Sequence, residues 1–227
     1  MGESCEALLL TAKARVIATA TVWRRDDDDF LLLTEPELGE RLLGELRRFR
    51  FAAKAAIEPE EHVSTLVLGE ASVGAIPNSD YGVSAFELLD GVPEGAGEIG
   101  SDELELLRIR ARTPRFGREL DDRVLPAEAG LDERAVSFTK GCYPGQEPVA
   151  RLHYRGHANR GLRVLELEGD VPEYDAELGH AGAVVGRVTS AVTAGDGTVV
   201  ALGYVRREVP ADAVLALADG RSVTQAG

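Results

Sequence analysis

Ser137-Phe138-Thr139-Lys140-Gly141-Cys142-Tyr143-Pro144-Gly145-Gln146-Glu147 is the stretch on which the reading of this chain turns. An apolar lead-in, Ala135–Phe138, runs into a turn with two glycines and a proline, and a short helix is expected from there toward Arg151. Such a turn presents backbone N–H groups at a helix N-terminus, a favourable place for an anion. Cys142 stands close to Lys140 and to the positive end of the helix, a setting that suits a reactive thiol. Gln146 and Glu147 bring the amide and carboxylate groups that match the donor and acceptor edge of a heterocycle. The competing reading is a structural turn with an inert cysteine. Pro148 confines the segment to the first turn of its helix or to a kink.

Upstream of this turn the pattern mixes strands and helices. Val16, Ala18, Ala20 and Val22 alternate with Ile17, Thr19, Thr21 and Trp23, and an acidic tip, Asp26–Asp29, returns the chain into Phe30–Leu33. Thr34-Glu35-Pro36-Glu37 reads as a capping box with an early proline. Leu38, Leu42, Leu43, Leu46 and Phe49 then fall on one helical face. Val63–Leu68 and Val83–Leu89 read as strands and Ser101–Leu107 as a short helix, an α+β arrangement. After Ala158 the texture changes. Arg163–Glu168, Ala183–Ala191, Val199–Val205 and Ala213–Ala218 are short strand patterns, and Gly195-Asp196-Gly197 is a hairpin signal. Regular short strands with glycine-rich turns predict a small barrel or sandwich.

The 227 residues carry 25 Lys+Arg against 39 Asp+Glu, a net charge of −14. That balance opposes general binding to duplex DNA unless the cations are gathered. They are gathered. Arg108–Arg118 holds five arginines and no acid, and Lys140–Arg163 holds five cations against Glu147. Two such islands on an acidic background read either as solvated faces or as the site of a small anion. No apolar run approaches the ~18–20 residues of a membrane span. The first residues lack the pattern of a signal peptide. Two cysteines, Cys5 and Cys142, suit a reducing cytoplasm better than a disulfide framework.

Lys140-Gly141-Cys142-Tyr143-x-Gly145-Gln146-Glu147, followed by Ala150-Arg151, resembles the signature of YgfZ-type folate-binding proteins. These are relatives of the glycine-cleavage T-protein (aminomethyltransferase) and of a mitochondrial iron–sulfur assembly factor. Leu8–Ala18, Pro114–Glu119, Leu125-Pro126-x-Glu128 and Gly186–Ser190 extend the similarity over nearly the whole chain. The resemblance implies an α+β, tetrahydrofolate-binding body over residues 1–157 and a small C-terminal β-barrel over 158–227. It implies Cys142 as the residue that function needs most. Lys140, Gly141, Tyr143, Gln146, Glu147, Arg151 and Glu119 become candidates for contact with tetrahydrofolate, whose glutamate carboxylates the two basic islands would receive. No metal site is implied.

The cellular role implied is the assembly or maintenance of iron–sulfur clusters in client enzymes, including those that modify tRNA. T-proteins carry an acidic residue at the position of Cys142 and a basic one at that of Gln146, which favours the YgfZ branch. The alternatives are a folate-dependent aminomethyl transferase and a protein-interaction module without a ligand. Family members begin with a further segment of several dozen residues, so this chain is expected to start inside the domain. Arg110 and Arg112 stand where Glu and Gly are usual.

Three other signals carry less. Gly95-Ala96-Gly97-Glu98-Ile99-Gly100 matches a dinucleotide fingerprint but lacks βαβ alternation, so a loop is expected. Cys142, His153 and His157 fit no zinc spacing. No serine or histidine lies in a nucleophile-elbow context.

Overall fold

The computed structural model describes residues 2–51, 53–70 and 74–226. Strands β1 (Ser4–Leu10), β2 (Val16–Arg24) and β3 (Phe30–Leu33) form an antiparallel sheet in that order. Val16, Ile17 and Ala18 are all buried; on one face of β2, Val16 packs with Leu10, Ala14 and Val149, and Ala18, two residues on, packs with Leu38 and Leu42. A single 3-10 turn, Pro36–Leu38, leads into helix α1 (Gly39–Phe49). The expected capping box does not form. The Thr34 hydroxyl donates instead to the carbonyl of Thr19 (2.7 Å), tying the helix entry to β2. Leu38, Leu42 and Leu46 pack on Ala18, Ala20 and Leu32, whereas Phe49, expected on the same face, is 43% exposed.

A second small sheet has the order β4 (Ser64–Leu68), β6 (Ala85–Leu89), β5 (Ile76–Asn78). Strand β5 has no sequence signal, since it is three residues long and contains Pro77. An edge position tolerates that proline because no neighbour needs its missing N–H. The glycine-rich stretch 95–100 is a loop, as expected, and leads into α2 (Ser101–Arg110), three residues longer than the sequence suggested.

The C-terminal part of the chain closes into a six-stranded barrel: β7 (Arg160–Leu167), β8 (Glu177–His180), β9 (Ala183–Thr193), β10 (Val199–Arg206), β11 (Leu215–Ala216) and β12 (Ser222–Ala226). Around the barrel the order is β10-β7-β12-β11-β8-β9. Closure removes free sheet edges. Strand β10 explains its own unbroken apolar run, because all residues from Val199 to Val205 are buried. Val199, Ala201 and Val205 face the barrel interior, while Val200, Leu202 and Tyr204 face outward into the rest of the protein. Gly203 allows the tight crossing with β9, since a Cβ there would lie 2.7 Å from the carbonyl oxygen of Arg187.

Helix α2 belongs to both the body and the barrel. Ile109, fully buried, sits with Val164, Val192, Val200 and Leu202 of the barrel. Burial of a side chain of that size is worth about 1.5–3 kcal/mol. The barrel is thereby fixed to the body through a shared core. Among the described residues no helix is long and apolar enough to cross a membrane.

Candidate functional site

The turn around Lys140–Gly145 is held from below. After the short helix α3 (Asp132–Ala135), the chain crosses residues 136–145 and enters helix α4 (Gln146–Arg155). Gly145 caps α4 at φ +85°, a left-handed conformation that glycine adopts without steric cost. A Cβ on Gly145 would lie 2.6 Å from the carbonyl oxygen of Thr11 and 3.1 Å from the Cα of Ala14. The turn therefore rests directly on the β1–β2 turn. That turn is itself closed by hydrogen bonds from Ala14 N–H to the Thr11 carbonyl (2.9 Å) and from Arg15 N–H to the Thr11 hydroxyl (3.0 Å). Val149 completes the support, buried with Leu10, Ala14 and Val16 and flanked by Val136, Phe138 and Tyr143. Pro148 lies in the first turn of α4, where its missing N–H costs nothing.

On this platform Lys140, Gly141, Cys142 and Glu147 are exposed, and Gln146 is half-buried. The Lys140 ammonium lies 4.9 Å from the centre of the Tyr143 ring. Burial pushes the Tyr143 phenol up in pKa, and its hydroxyl is enclosed without a hydrogen-bond partner. A buried hydroxyl left unpaired costs about 1–3 kcal/mol, which any partner for it would offset. Arg151 is exposed on α4, one turn beyond Glu147. Lys140, Gly141, Cys142, Tyr143, Gln146, Glu147 and Arg151 thus all lie on one turn and the start of one helix.

Glu119 is elsewhere. Its side chain is fully buried between α2 and the barrel, and every oxygen has a partner inside the protein. Ser190 Oγ donates to Oε1 (2.7 Å); Arg108 Nη1 (3.1 Å) and the Arg115 N–H (3.0 Å) donate to Oε2. The Tyr204 hydroxyl donates to the Glu119 backbone carbonyl (3.0 Å). This position tethers barrel to body, and no solvent-side ligand reaches it.

The first basic island is largely committed to internal contacts. Arg108 is bound by Glu105 (2.7 Å) and Glu119, Arg115 lies 3.8 Å from Glu105, and Arg118 lies over the ring of Tyr174. Only Arg110 and Arg112 of this window are exposed without such a partner among the described residues. Arg112 holds φ +55°, where glycine would be unstrained. In the second island Arg160 pairs with Glu128 (3.1 Å), and Arg163 donates to the backbone carbonyl of Val209 (2.9 Å).

A groove of about 570 Å³ runs beside the far end of α4, lined by Arg112, Glu128, Arg134, Leu152, His153 and His157 among others. Cys142 and the candidate folate contacts (Lys140, Gly141, Tyr143, Gln146, Glu147, Arg151 and Glu119) do not line it. Among the described residues no group of three His, Cys, Asp or Glu side chains is placed to hold a metal ion. The sequence missed Arg134, which gathers Glu6 (2.7 Å), Asp80 (2.7 Å), Ser79 and Thr113 and so pins β1, the β5–β6 loop and α3 together. Its partners lie far apart in the chain, and no local pattern announces them.

The donor set of the turn fits a reduced folate. Glu147 and Gln146 supply an acceptor and a mixed donor–acceptor group, the orphan Tyr143 hydroxyl can take either role, and Lys140 and Arg151 supply charge for a glutamate carboxylate.

No family model matches the chain. In sequence it is similar to the tRNA-modifying protein YgfZ of Yersinia pestis strain Pestoides F. Identity there is 40% over 119 residues, covering 50% of this chain and 36% of that protein. It is also similar to the tRNA-modifying protein YgfZ of Serratia proteamaculans, at 33% over 141 residues, or 60% of this chain and 43% of the relative. In structure it matches the glycine cleavage system aminomethyltransferase T from Bartonella henselae with a TM-score of 0.83 and 17% identity. That match covers all of this chain and 75% of the other. The fold is therefore the aminomethyltransferase fold. The chain spans between 36% and 60% of the length of these YgfZ relatives and of a Haemophilus influenzae protein that it also matches.

Proposed function

We propose that this chain, a YgfZ-type relative built on the aminomethyltransferase fold, is a folate-binding protein that supports iron–sulfur enzymes in the cytoplasm, including enzymes that modify tRNA. The observation that carries the reading is the Lys140–Glu147 turn. It is fixed by Gly145 against the β1–β2 turn, and it displays an exposed thiol beside a donor set suited to a folate. A bound tetrahydrofolate would supply one-carbon carrier chemistry. The protein's own residues bind and orient it: Gln146, Glu147 and Tyr143 address the heterocycle, and Lys140 and Arg151 address the glutamate carboxylates. Cys142 contacts the client side, its thiol free and solvent-facing. Glu119 plays no direct part in binding.

Titration of tetrahydrofolate against the protein and its Cys142→Ala and Arg151→Ala variants tests the ligand claim. Saturable binding that weakens in Arg151→Ala is expected, and failure of the unmodified protein to bind any folate at physiological salt sinks the claim. For the cellular role, deletion should lower the activity of an iron–sulfur enzyme, and Cys142→Ala should fail to restore it. Full rescue by that variant removes Cys142 from the mechanism.

A further inference from the structure

The surface between the Cys142 turn and the end of α4 carries aromatic side chains that the folate reading leaves unused, beside Lys140, Glu147 and Arg151, which the two readings share. Phe138 and His153 stack with ring centroids 3.8 Å apart and planes at 20°. Tyr154 stands edge-on to both, at 5.9 Å from Phe138 and 4.8 Å from His153. His153 and Tyr154 are exposed, Tyr154 by 68%. Arg151 and Arg155 flank them on the same helix, and Lys140 lies two residues beyond Phe138. Arg151 and Arg155 belong to no ion pair among the described residues, unlike Arg108, Arg134 and Arg160. Glu147 is the one acid in α4, exposed and equally unpaired.

We propose that this surface binds single-stranded RNA. Bases stack on Tyr154 and on the Phe138–His153 pair, and phosphates meet Arg151, Arg155 and Lys140. Every base has a π face, so exposed rings beside free cations form a sequence-tolerant stacking platform. Charge decides the form of the nucleic acid. A rigid duplex would carry phosphates across the acidic remainder of a protein of net charge −14, within the ~10 Å reach of unscreened charge. A single strand bends to follow the cationic patch alone. Glu147 decides the sugar: an unpaired carboxylate repels phosphate but accepts a hydrogen bond from a ribose 2′-hydroxyl, which DNA lacks.

The test is fluorescence anisotropy of a labelled 12-nucleotide single-stranded RNA with the full chain, against DNA of the same sequence, a duplex and heparin. RNA should bind saturably and weaken about 7- to 18-fold between 50 and 200 mM salt, the slope of two or three phosphate contacts. Tyr154→Ala should weaken binding about 5- to 160-fold, and Tyr154→Phe should retain it. Arg155→Ala should flatten the salt dependence. Tyr154 and Arg155 lie outside the folate set and the assay contains no folate, so failure here leaves the folate reading intact. The proposal is overturned by absent RNA binding, by equal binding of duplex or heparin, or by unchanged affinity in Tyr154→Ala with a native circular dichroism spectrum. Equal affinity for single-stranded DNA overturns the role of Glu147. Loss of a protein contact, with RNA binding intact, in the Tyr154→Ala variant assigns the surface to a protein instead.

Discussion

Glu119→Ala should be among the most destabilising single changes in this protein. The substitution leaves Arg108, only 5% exposed, with Glu105 as its remaining carboxylate, and it strips the acceptor from Ser190 Oγ and from the Arg115 N–H. Removing one partner of a buried ion pair costs about 3–5 kcal/mol. Retention of Glu105 places Arg108 near the lower end, and the two orphaned donors return the total toward the upper end. At roughly 2–4 °C per kcal/mol for a chain of this size, Tm should fall by about 6–20 °C. Glu119→Gln should cost about 1–3 kcal/mol, because its amide oxygen still accepts from Arg108 while the rotatable Ser190 hydroxyl turns to accept from the amide nitrogen.

The decisive comparison is the double variant Arg108→Met/Glu119→Met. Replacing both charges by apolar groups removes the uncompensated ion, so the pair should lose less stability than Glu119→Ala alone. Urea denaturation of the three variants reads all of this. The reasoning is refuted if Glu119→Ala lies within about 1 kcal/mol of the unmodified protein, or if the double variant is worse than the single. If Glu119→Gln abolished folate binding at unchanged stability, Glu119 would return to the ligand site that the family resemblance first gave it.

Two further outcomes follow from local geometry. Gly145→Ala forces a Cβ into the Thr11 carbonyl and a side chain into a left-handed conformation, and should cost about 2–4 kcal/mol. The same variant should raise the rate at which Cys142 reacts with a thiol reagent, measured in a Cys5→Ser background because both cysteines are exposed. His62 lies 2.7 Å from Asp90 and 3.1 Å from Glu60; its hydrogen bonds to Asp90 and Glu60 raise its pKa, while its hydrogen bond lowers that of Asp90. The contact therefore holds from the ordinary carboxylate range upward, weakens as pH falls through the depressed Asp90 value, and is lost as pH rises through the raised His62 value. An NMR titration of the His62 ring should show a midpoint above the usual ~6.5; a midpoint at or below that refutes the pairing.

The sequence made some parts of this molecule plain and hid others for identifiable reasons. Strand β2, helix α1 and the β9–β10 hairpin were legible because each buries a face at its own period, and the turn at Gly195-Asp196-Gly197 was marked by its glycines. Strands β5 and β8 were not, being three and four residues long with a proline or a glycine inside. The Lys140–Arg151 cluster was legible because it is contiguous. Glu119 was ambiguous, since a carboxylate in a familiar motif looks alike whether it faces a ligand or a buried arginine. Only the positions of Ser190, Tyr204 and Arg108, brought together from three separate segments, distinguish the two. Thr34 misled, its hydroxyl being drawn across to β2 by tertiary packing rather than to the helix it precedes.

The close seating of Gly145 on Thr11 and Ala14 also orders events in time. The turn below is finished about 130 residues before the turn above exists, an interval of roughly 7–26 s at synthesis rates of about 5–20 residues per second. For that period the first hairpin offers a bare seat, and Cys142, once made, is tethered to nothing until it finds it. The segment with the most chemistry is in this sense a keystone, set on masonry laid down long before.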